Sequence, residues 1–79
     1  MVVSYTLARV LPAQDKAVYD ELIALDEVKG VVLAYGVFDM MITIETENIE
    51  ELDDIVFNKI RKIGGIDSTT TLISAKKEE

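Results

Sequence analysis

The second half of the chain repeats the residue pattern of the first half at an offset of 35 positions, and this repeat limits the fold more than any other feature. At that offset Gly30-Val31 falls on Gly65-Ile66, and Leu25 falls on Ile60. Each half has the pattern of a strand, an amphipathic helix and a second strand. Two such halves interleave into a four-stranded antiparallel sheet with both helices on one face. The sequence therefore predicts an α+β fold, a ferredoxin-like βαββαβ sandwich.

Runs rich in β-branched and aromatic residues locate the four strands of this fold. They cover residues 2–10, 31–35, 38–46 and 66–75. The second and third runs meet around a single glycine, Gly36, which predicts a tight antiparallel hairpin.

The two helices have recognisable start and stop signals. Pro12 suits the first turn of a helix, and the apolar spacing after it predicts a helix from Pro12 to about Leu25. Asn48 and Glu51 stand at the capping-box spacing and begin a second helix, which Gly64-Gly65 ends.

Alternation along the strands assigns side chains to the two faces of the sheet. The helix-covered face is predicted to take Tyr5, Leu7, Met40, Ile42 and Ile44. The opposite face then carries residues that are mostly small, apolar or hydroxylic, namely Ser4, Thr6, Ala8, Val10, Met41 and Thr43. Such a face suits packing against the sheet of another subunit. A solvated face is the alternative, since antiparallel sheets often keep one side wet.

Length and composition give the chain one small core. With 79 residues, of which 49% are hydrophobic, it has room for a single domain over residues 1–79. Residues 76–79 are all charged and are expected to form a solvated tail. Because the chain has no Cys and no His, neither disulfides nor zinc can support the fold, and self-association is the expected source of extra stability.

The charge balance excludes several classes of partner. Eight Lys and Arg against 15 Asp and Glu give a formal net charge of −7, which repels a nucleic-acid backbone. No apolar run approaches the roughly 20 residues of a membrane span, and the N-terminus has no signal-peptide pattern, so a cytoplasmic location is expected. Without His or Cys no Ser-His or Cys-His pair can form, and we predict no catalytic residues, no metal and no cofactor.

Two polar segments are candidates for binding a small molecule. Tyr35, Gly36 and Asp39 place an aromatic hydroxyl, an accessible backbone and a carboxylate within one turn. The run Ser68, Thr69, Thr70 and Thr71 places four hydroxyls just after a glycine pair. The alternative is structural in both cases, an ordinary hairpin and a threonine-rich strand.

The segments VKGVVLAYGVFDMMITIET and NIEELDDIVFNKIRKIGGIDSTTTLI resemble the ligand-binding and oligomerisation module of the Lrp/AsnC (feast/famine) regulators, often called the RAM domain. The likeness runs from Val3 to Ile73, and its most specific features are Gly36-x-x-Asp39, the helix exit IRKIxGI and the strand STTT. No helix-turn-helix pattern precedes Val3, as in stand-alone members of the family.

This resemblance implies a non-enzymatic domain that binds free amino acids. It implies Tyr35, Gly36 and Asp39 on one side of the site, facing Ser68, Thr69, Thr70 and Thr71 on the other. Asp39 would suit the ammonium group of the ligand, and the hydroxyls would suit its carboxylate. It also implies dimers that form through the sheet faces, rings of dimers, and co-assembly with full-length Lrp/AsnC-type regulators.

Two other functions remain open from the sequence alone. Small dimeric α+β-barrel enzymes share the split βαβ architecture, and fold does not decide function. An oligomerisation module without a ligand would have the same sequence pattern and would differ only in a binding assay.

Overall fold

The computed structural model of the chain describes residues 1–73. These residues form four strands and two helices in the predicted order, and the second helix continues into a π-helical segment. The elements are β1 Val2–Val10, α1 Asp15–Ile23, β2 Val28–Leu33, β3 Met40–Thr46, α2 Ile49–Ile55, the π-helical segment Val56–Ile60 and β4 Ile66–Ile73. The predicted strand end at residues 74–75 and the predicted tail at 76–79 lie outside the described residues.

The strands form one antiparallel sheet in the order β2-β3-β1-β4. The first and third strands are central, as the split βαβ arrangement requires. The predicted ferredoxin-like fold is therefore confirmed, and β2 and β4 are the two edge strands.

The core lies between the helices and one face of the sheet. Met40, Ile42 and Ile44 of β3 are at most 1% exposed, which confirms the face predicted for that strand. From the helices, the buried residues that pack against them are Val18, Leu22, Leu52, Ile55, Val56, Ile60 and Ile63.

The predicted orientation of β1 is wrong. Ser4, Thr6 and Ala8 lie on the helix-covered face, where each is 0% exposed, and Tyr5 and Leu7 lie on the opposite face. An offset of 35 is an odd number of positions, whereas the helix-facing residues of β1 and β3 differ by an even number. The offset therefore misplaces β1 by one position, and a shift of one position moves every side chain of a strand to the other face. Small residues also suit this place, because β1 is a central strand that packs beneath helices.

Pro12 lies in a turn before α1 and not in the first turn of the helix. The N–H of Gln14 donates to the carbonyl of Leu11 at 3.1 Å, and Ala13 has a φ of 67°. Proline at the second position and positive φ at the third are the features of a type II β-turn. Helix α1 consequently begins at Asp15, three residues later than predicted.

The start of α2 follows its sequence signal. The side chain of Asn48 accepts a hydrogen bond from the N–H of Glu51 at 2.8 Å. The Glu51 carboxylate accepts in turn from the N–H of Glu47 at 2.6 Å, one residue before the usual capping-box donor. At the other end of the helix, the N–H of Arg61 donates to the carbonyl of Val56 at 2.9 Å, the i to i−5 bond of a π-helix.

Gly65 brings the turn before β4 into close contact with α1. It has a φ of +104°, and a Cβ atom there would lie 2.8 Å from Cγ2 of Val18 and 3.0 Å from Cβ of Gln14. Its carbonyl accepts a hydrogen bond from the N–H of Leu11 at 2.8 Å. The position therefore requires glycine for its backbone conformation and also for space.

The sheet face opposite the helices, called the open face below, is apolar at its centre. Tyr5, Val32 and Leu72 are 36%, 53% and 52% exposed there, and Leu7 and Met41 are half-buried. An exposed apolar patch of this kind typically marks an interaction surface. The corrected orientation of β1 makes this face more apolar than the sequence suggested.

Candidate functional site

Strands β2 and β3 are joined by a loop of six residues, 34–39, called the hairpin loop below. It is longer than the single-glycine turn that the sequence predicted, because strand pairing ends before Ala34. The N–H of Ala34 donates to the carbonyl of Asp39 at 2.9 Å and closes the base of the loop. Gly36 has a φ of +118°, and the Tyr35 side chain is fully exposed. The loop thus presents an aromatic hydroxyl to the outside of the chain.

Asp39 attaches the hairpin loop to the end of β1. Its N–H donates to the carbonyl of Ala8 at 2.9 Å, and its Oδ2 accepts from the N–H of Val10 at 2.8 Å. The pairing of β1 with β4 is irregular between Arg9 and Val10, so the carboxylate bonds the backbone where the ladder is interrupted. Within residues 1–73 only Oδ2 is used in this way, which leaves Oδ1 for another donor.

Arg9 was not among the predicted site residues, but it holds the hairpin loop from the open face. Its Nη1 donates to the carbonyl of Val37 at 2.5 Å. Its register partner on β4 is Ser68. Arg9 therefore lies between the hairpin loop and Ser68, the first of the predicted hydroxyl residues. The sequence signal was a single charge near the end of an otherwise uncharged strand.

An open cleft of about 440 Å³, called the hairpin cleft below, lies beside this loop. Its lining consists of Asp15, Leu33, Ala34, Tyr35, Asp39 and Met40. Two carboxylates and a phenol on an apolar floor favour a cationic group such as an ammonium. Asp15 comes from the first turn of α1 and is distant from the hairpin in sequence, so no local pattern could have indicated it.

The four predicted hydroxyls of β4 are divided between the two faces of the sheet. Ser68 and Thr70 are exposed on the open face, where Thr70 is paired with Leu7. Thr69 and Thr71 lie half-buried on the helix-covered side. The run of hydroxyls therefore forms two separate pairs and not one surface.

A second open cleft, of about 300 Å³, lies between β4 and the second helix and is called the β4 cleft below. Its polar lining comes from Asp53, Arg61, Thr69 and Thr71. The apolar part includes Phe57 and residues of α2 and β4. Arg61, unlike the two threonines, was not among the predicted site residues.

The two halves of the predicted site are not in contact within one chain. The hairpin cleft is at the β2 edge of the sheet and the β4 cleft is at the β4 edge, with β3 and β1 between them. Three strand spacings separate the two edge strands by about 14 Å, but Asp39 reaches inward to β1, the strand next to β4. Tyr35 and Asp39 therefore line one cleft, and Thr69 and Thr71 line another.

Among residues 1–73 no group of three or more Asp or Glu residues is arranged to hold a metal ion. In the same part of the chain no helix is long and apolar enough to cross a membrane.

Comparisons with known proteins identify the class of domain. The sequence model described as the Lrp/AsnC ligand binding domain matches residues 3–78. The fold is thus that of the Lrp/AsnC ligand-binding domain. The chain belongs to the Lrp/AsnC family.

Individual relatives agree with this assignment. A helix-turn-helix-type transcriptional regulator of Pyrococcus horikoshii is 32% identical over 78 residues, which cover 96% of this chain and 49% of the regulator. The crystal structure of FFRP-DM1 superposes with a TM-score of 0.91 at 32% identity, covering 95% of this chain and all of that one. AsnC of Escherichia coli superposes with a TM-score of 0.89 at 28% identity, covering 96% of this chain and 52% of AsnC. The chain thus spans about half the length of the curated relatives that it matches.

Proposed function

We propose that this domain is a non-enzymatic sensor of free amino acids and that each effector site forms between subunits. In one subunit Tyr35, Gly36 and Asp39 form one side of the site. In a neighbouring subunit the strand of Ser68, Thr69, Thr70 and Thr71 forms the other side. The observation that carries the proposal is the fully exposed side chain of Tyr35, next to a cleft with two carboxylates.

The chemistry of the hairpin side fits the ammonium group of an amino acid. Asp39 uses one carboxylate oxygen to hold Val10, and this bond fixes the other oxygen in place without rotamer freedom. A fixed carboxylate loses less conformational entropy when it binds an ammonium than a mobile one does. Asp15 adds a second negative charge to the same cleft.

The β4 side fits the carboxylate group of the ligand through hydroxyl and backbone donors. Because β4 is an edge strand, the outer edge of its backbone has no strand partner within residues 1–73. A hairpin loop from another subunit can approach that edge without disturbing the sheet.

The assembly that brings the two sides together begins with the open face. Tyr5, Leu7, Val32, Met41 and Leu72 suit sheet-on-sheet packing between two subunits. Dimers formed in this way leave the hairpin loops at their surface, where further dimers can add to form a ring. Full-length regulators of the family carry the same domain, and we propose that the chain modulates transcription by co-assembling with them.

Titration of the purified protein with a panel of free amino acids tests the proposal. A ligand at 100 times its Kd stabilises the native state by about 2.7 kcal/mol, which corresponds to a rise in Tm of roughly 10 °C or more for a domain of this size. We expect this rise for at least one amino acid, together with a change in mass by light scattering. The absence of any response at millimolar ligand would contradict effector binding and favour a structural oligomerisation module.

Two substitutions of Asp39 separate its structural role from its role in binding. Asp39→Asn keeps an acceptor for the N–H of Val10 but removes the charge, whereas Asp39→Ala removes both. We expect the Asn variant to retain wild-type stability within about 0.5 kcal/mol and the Ala variant to lose about 1–2 kcal/mol. Both should bind the amino acid at least tenfold more weakly.

Asp54→Asn is the matched control, because Asp54 is an exposed carboxylate on the second helix that lines neither cleft. It removes the same charge and should bind like the wild type. If Asp39→Asn also binds like the wild type, the hairpin loop is not the ammonium side of the site.

A further inference from the structure

The guanidinium of Arg61 is oriented at the edge of the β4 cleft by an aromatic ring. Its Cζ lies 5.0 Å from the centroid of the Phe57 ring, within cation–π range. Phe57 and Arg61 are four positions apart on the second helix, where the π-helical segment Val56–Ile60 replaces α-helical geometry. This contact holds the guanidinium over the ring and leaves its outward N–H groups for an acceptor.

The acceptor for Arg61 is not a carboxylate of residues 1–73. The ion pairs in that part of the chain are Lys16 with Asp20 and Lys59 with Glu27, and Arg61 takes part in neither. An arginine that lines a cleft and is held in place is the usual means of binding a carboxylate through two parallel hydrogen bonds.

The charge around Arg61 differs from that of the whole chain. The chain has a net charge of −7, but three of its eight basic residues are Lys59, Arg61 and Lys62. Lys59 is paired with Glu27 and neither lysine lines the β4 cleft, so Arg61 is the basic residue that an anion in this cleft meets. Arg61 also opposes the partial negative charge at the C-terminal end of the helix.

The floor of the cleft supplies hydroxyl donors. The hydroxyl of Thr71 is 2.9 Å from that of Thr6, which is 0% exposed. Either hydroxyl can donate in this bond, and with Thr6 as the donor the Thr71 proton is left for a ligand in the cleft. Thr69 is half-buried on the same side of β4 and lines the same cleft.

We infer that the β4 cleft of a single chain is a binding site for a small monocarboxylate with an apolar body. Arg61 binds the carboxylate, the threonine hydroxyls supplement it, and the ring of Phe57 and the side chain of Ile73 contact the apolar part. Asp53 lines the same cleft and repels a second carboxylate, so the site selects monoanions over dianions. This site shares Thr69 and Thr71 with the proposed effector site but goes beyond it, because the ligand needs no ammonium group and no neighbouring subunit.

The probe that isolates this site is 4-methyl-2-oxopentanoate, the oxo acid that corresponds to leucine. It lacks the ammonium group that Asp39 would bind, so its binding does not depend on the hairpin loop. Calorimetry measures its affinity, and ¹⁵N NMR locates it. We expect shifts of the Thr69 and Thr71 amides and of the Arg61 Nε–H signal, and no shift at Tyr35 or Asp39.

Arg61→Gln should reduce the affinity for the oxo acid at least tenfold, and Arg61→Lys should reduce it less. Lys62→Gln is the matched control, since it removes the same charge from the next residue, which does not line the cleft. Arg61 is exposed, so the variants should retain the wild-type circular dichroism spectrum. Equal binding by the wild type and Arg61→Gln, or shifts confined to the hairpin loop, would overturn the inference.

Two more ligands complete the test. Succinate should bind at least tenfold more weakly than the oxo acid, because it has a second carboxylate near Asp53. Leucine should produce no larger Arg61-dependent effect than the oxo acid does. Arg61-dependent binding of leucine alone would show that the ammonium is required, and this too would overturn the inference. A wild-type response to the oxo acid with no response to any amino acid would support this site and refute the effector site.

Discussion

The substitution Gly65→Ala tests the packing of the β4 turn against α1. A Cβ atom at this position would lie 2.8 Å from Cγ2 of Val18, and Val18 is 0% exposed and has no free space to move into. The residue also has a φ of +104°, where an L side chain is strained. Strain at such a φ costs about 1–3 kcal/mol, and overpacking of a full core costs a similar amount.

The chain offers its own comparison positions for this substitution. Gly36 has a φ of +118° but no atom within 4 Å of the added Cβ, so Gly36→Ala should lose only the strain, about 1–2 kcal/mol. Gly64 has neither positive φ nor a close neighbour, and Gly64→Ala should stay within about 0.5 kcal/mol of the wild type. Gly65→Ala should lose about 2–4 kcal/mol, a large part of the roughly 4–12 kcal/mol expected for a chain of 79 residues.

Urea unfolding followed by circular dichroism measures these losses, with all variants at one protein concentration because association would couple to stability. The double variant Gly65→Ala with Val18→Ala removes the Cγ2 atom that the new Cβ would meet. It should lose about 1–2 kcal/mol less stability than the sum of the two single variants. If Gly65→Ala costs no more than Gly36→Ala, the contact with Val18 does not exist and the argument from packing fails.

Four further substitutions test three separate features. Asn48→Ala should cost about 1 kcal/mol in urea unfolding by removing the helix cap, and no loss would show that the cap is replaceable. Val32→Glu should block dimerisation through the open face, whereas Ile23→Glu on α1 should not, although the two wild-type side chains are 53% and 52% exposed. Equal masses of these variants by light scattering would refute the interface. Ala13→Gly should stabilise the chain by about 1 kcal/mol because φ is 67° there, and a lower urea midpoint would contradict that strain.

The fold could be predicted from the sequence because the hydrophobic periodicity of each element agrees with the residues that mark where the element ends. The buried Met40, Ile42 and Ile44 of β3 alternate with less apolar neighbours, so their face could be read directly. In β1 both alternating sets are compatible with burial, and the 35-residue offset placed Tyr5 and Leu7 on the face of the buried β3 residues. The alternation of side chains along a strand identifies the core-facing side only when the other side is polar, and here the open face is apolar too.

The site was predictable in part, to the extent that its residues are neighbours in sequence. Tyr35, Gly36 and Asp39 belong to one loop, and the glycine indicated the special backbone of that loop. Asp15 and Arg61 reach the two clefts from helices, and only the packed structure shows that they line them. The assignment of effector contacts to these residues remains a prediction.

The pairing of β4 has a consequence for the order in which the molecule assembles. β4 is bonded only to β1, and its contacts join the two ends of the described chain, with Ser4 opposite Ile73. β2, the other edge strand, is joined to β3 by the short hairpin loop. Because a long loop costs more chain entropy to close, β4 should be the last strand to dock in folding and the first to leave in partial unfolding. An intermediate without β4 would retain the hairpin loop but lose Thr69 and Thr71 from their cleft, so the two clefts would disappear at different points of one unfolding pathway.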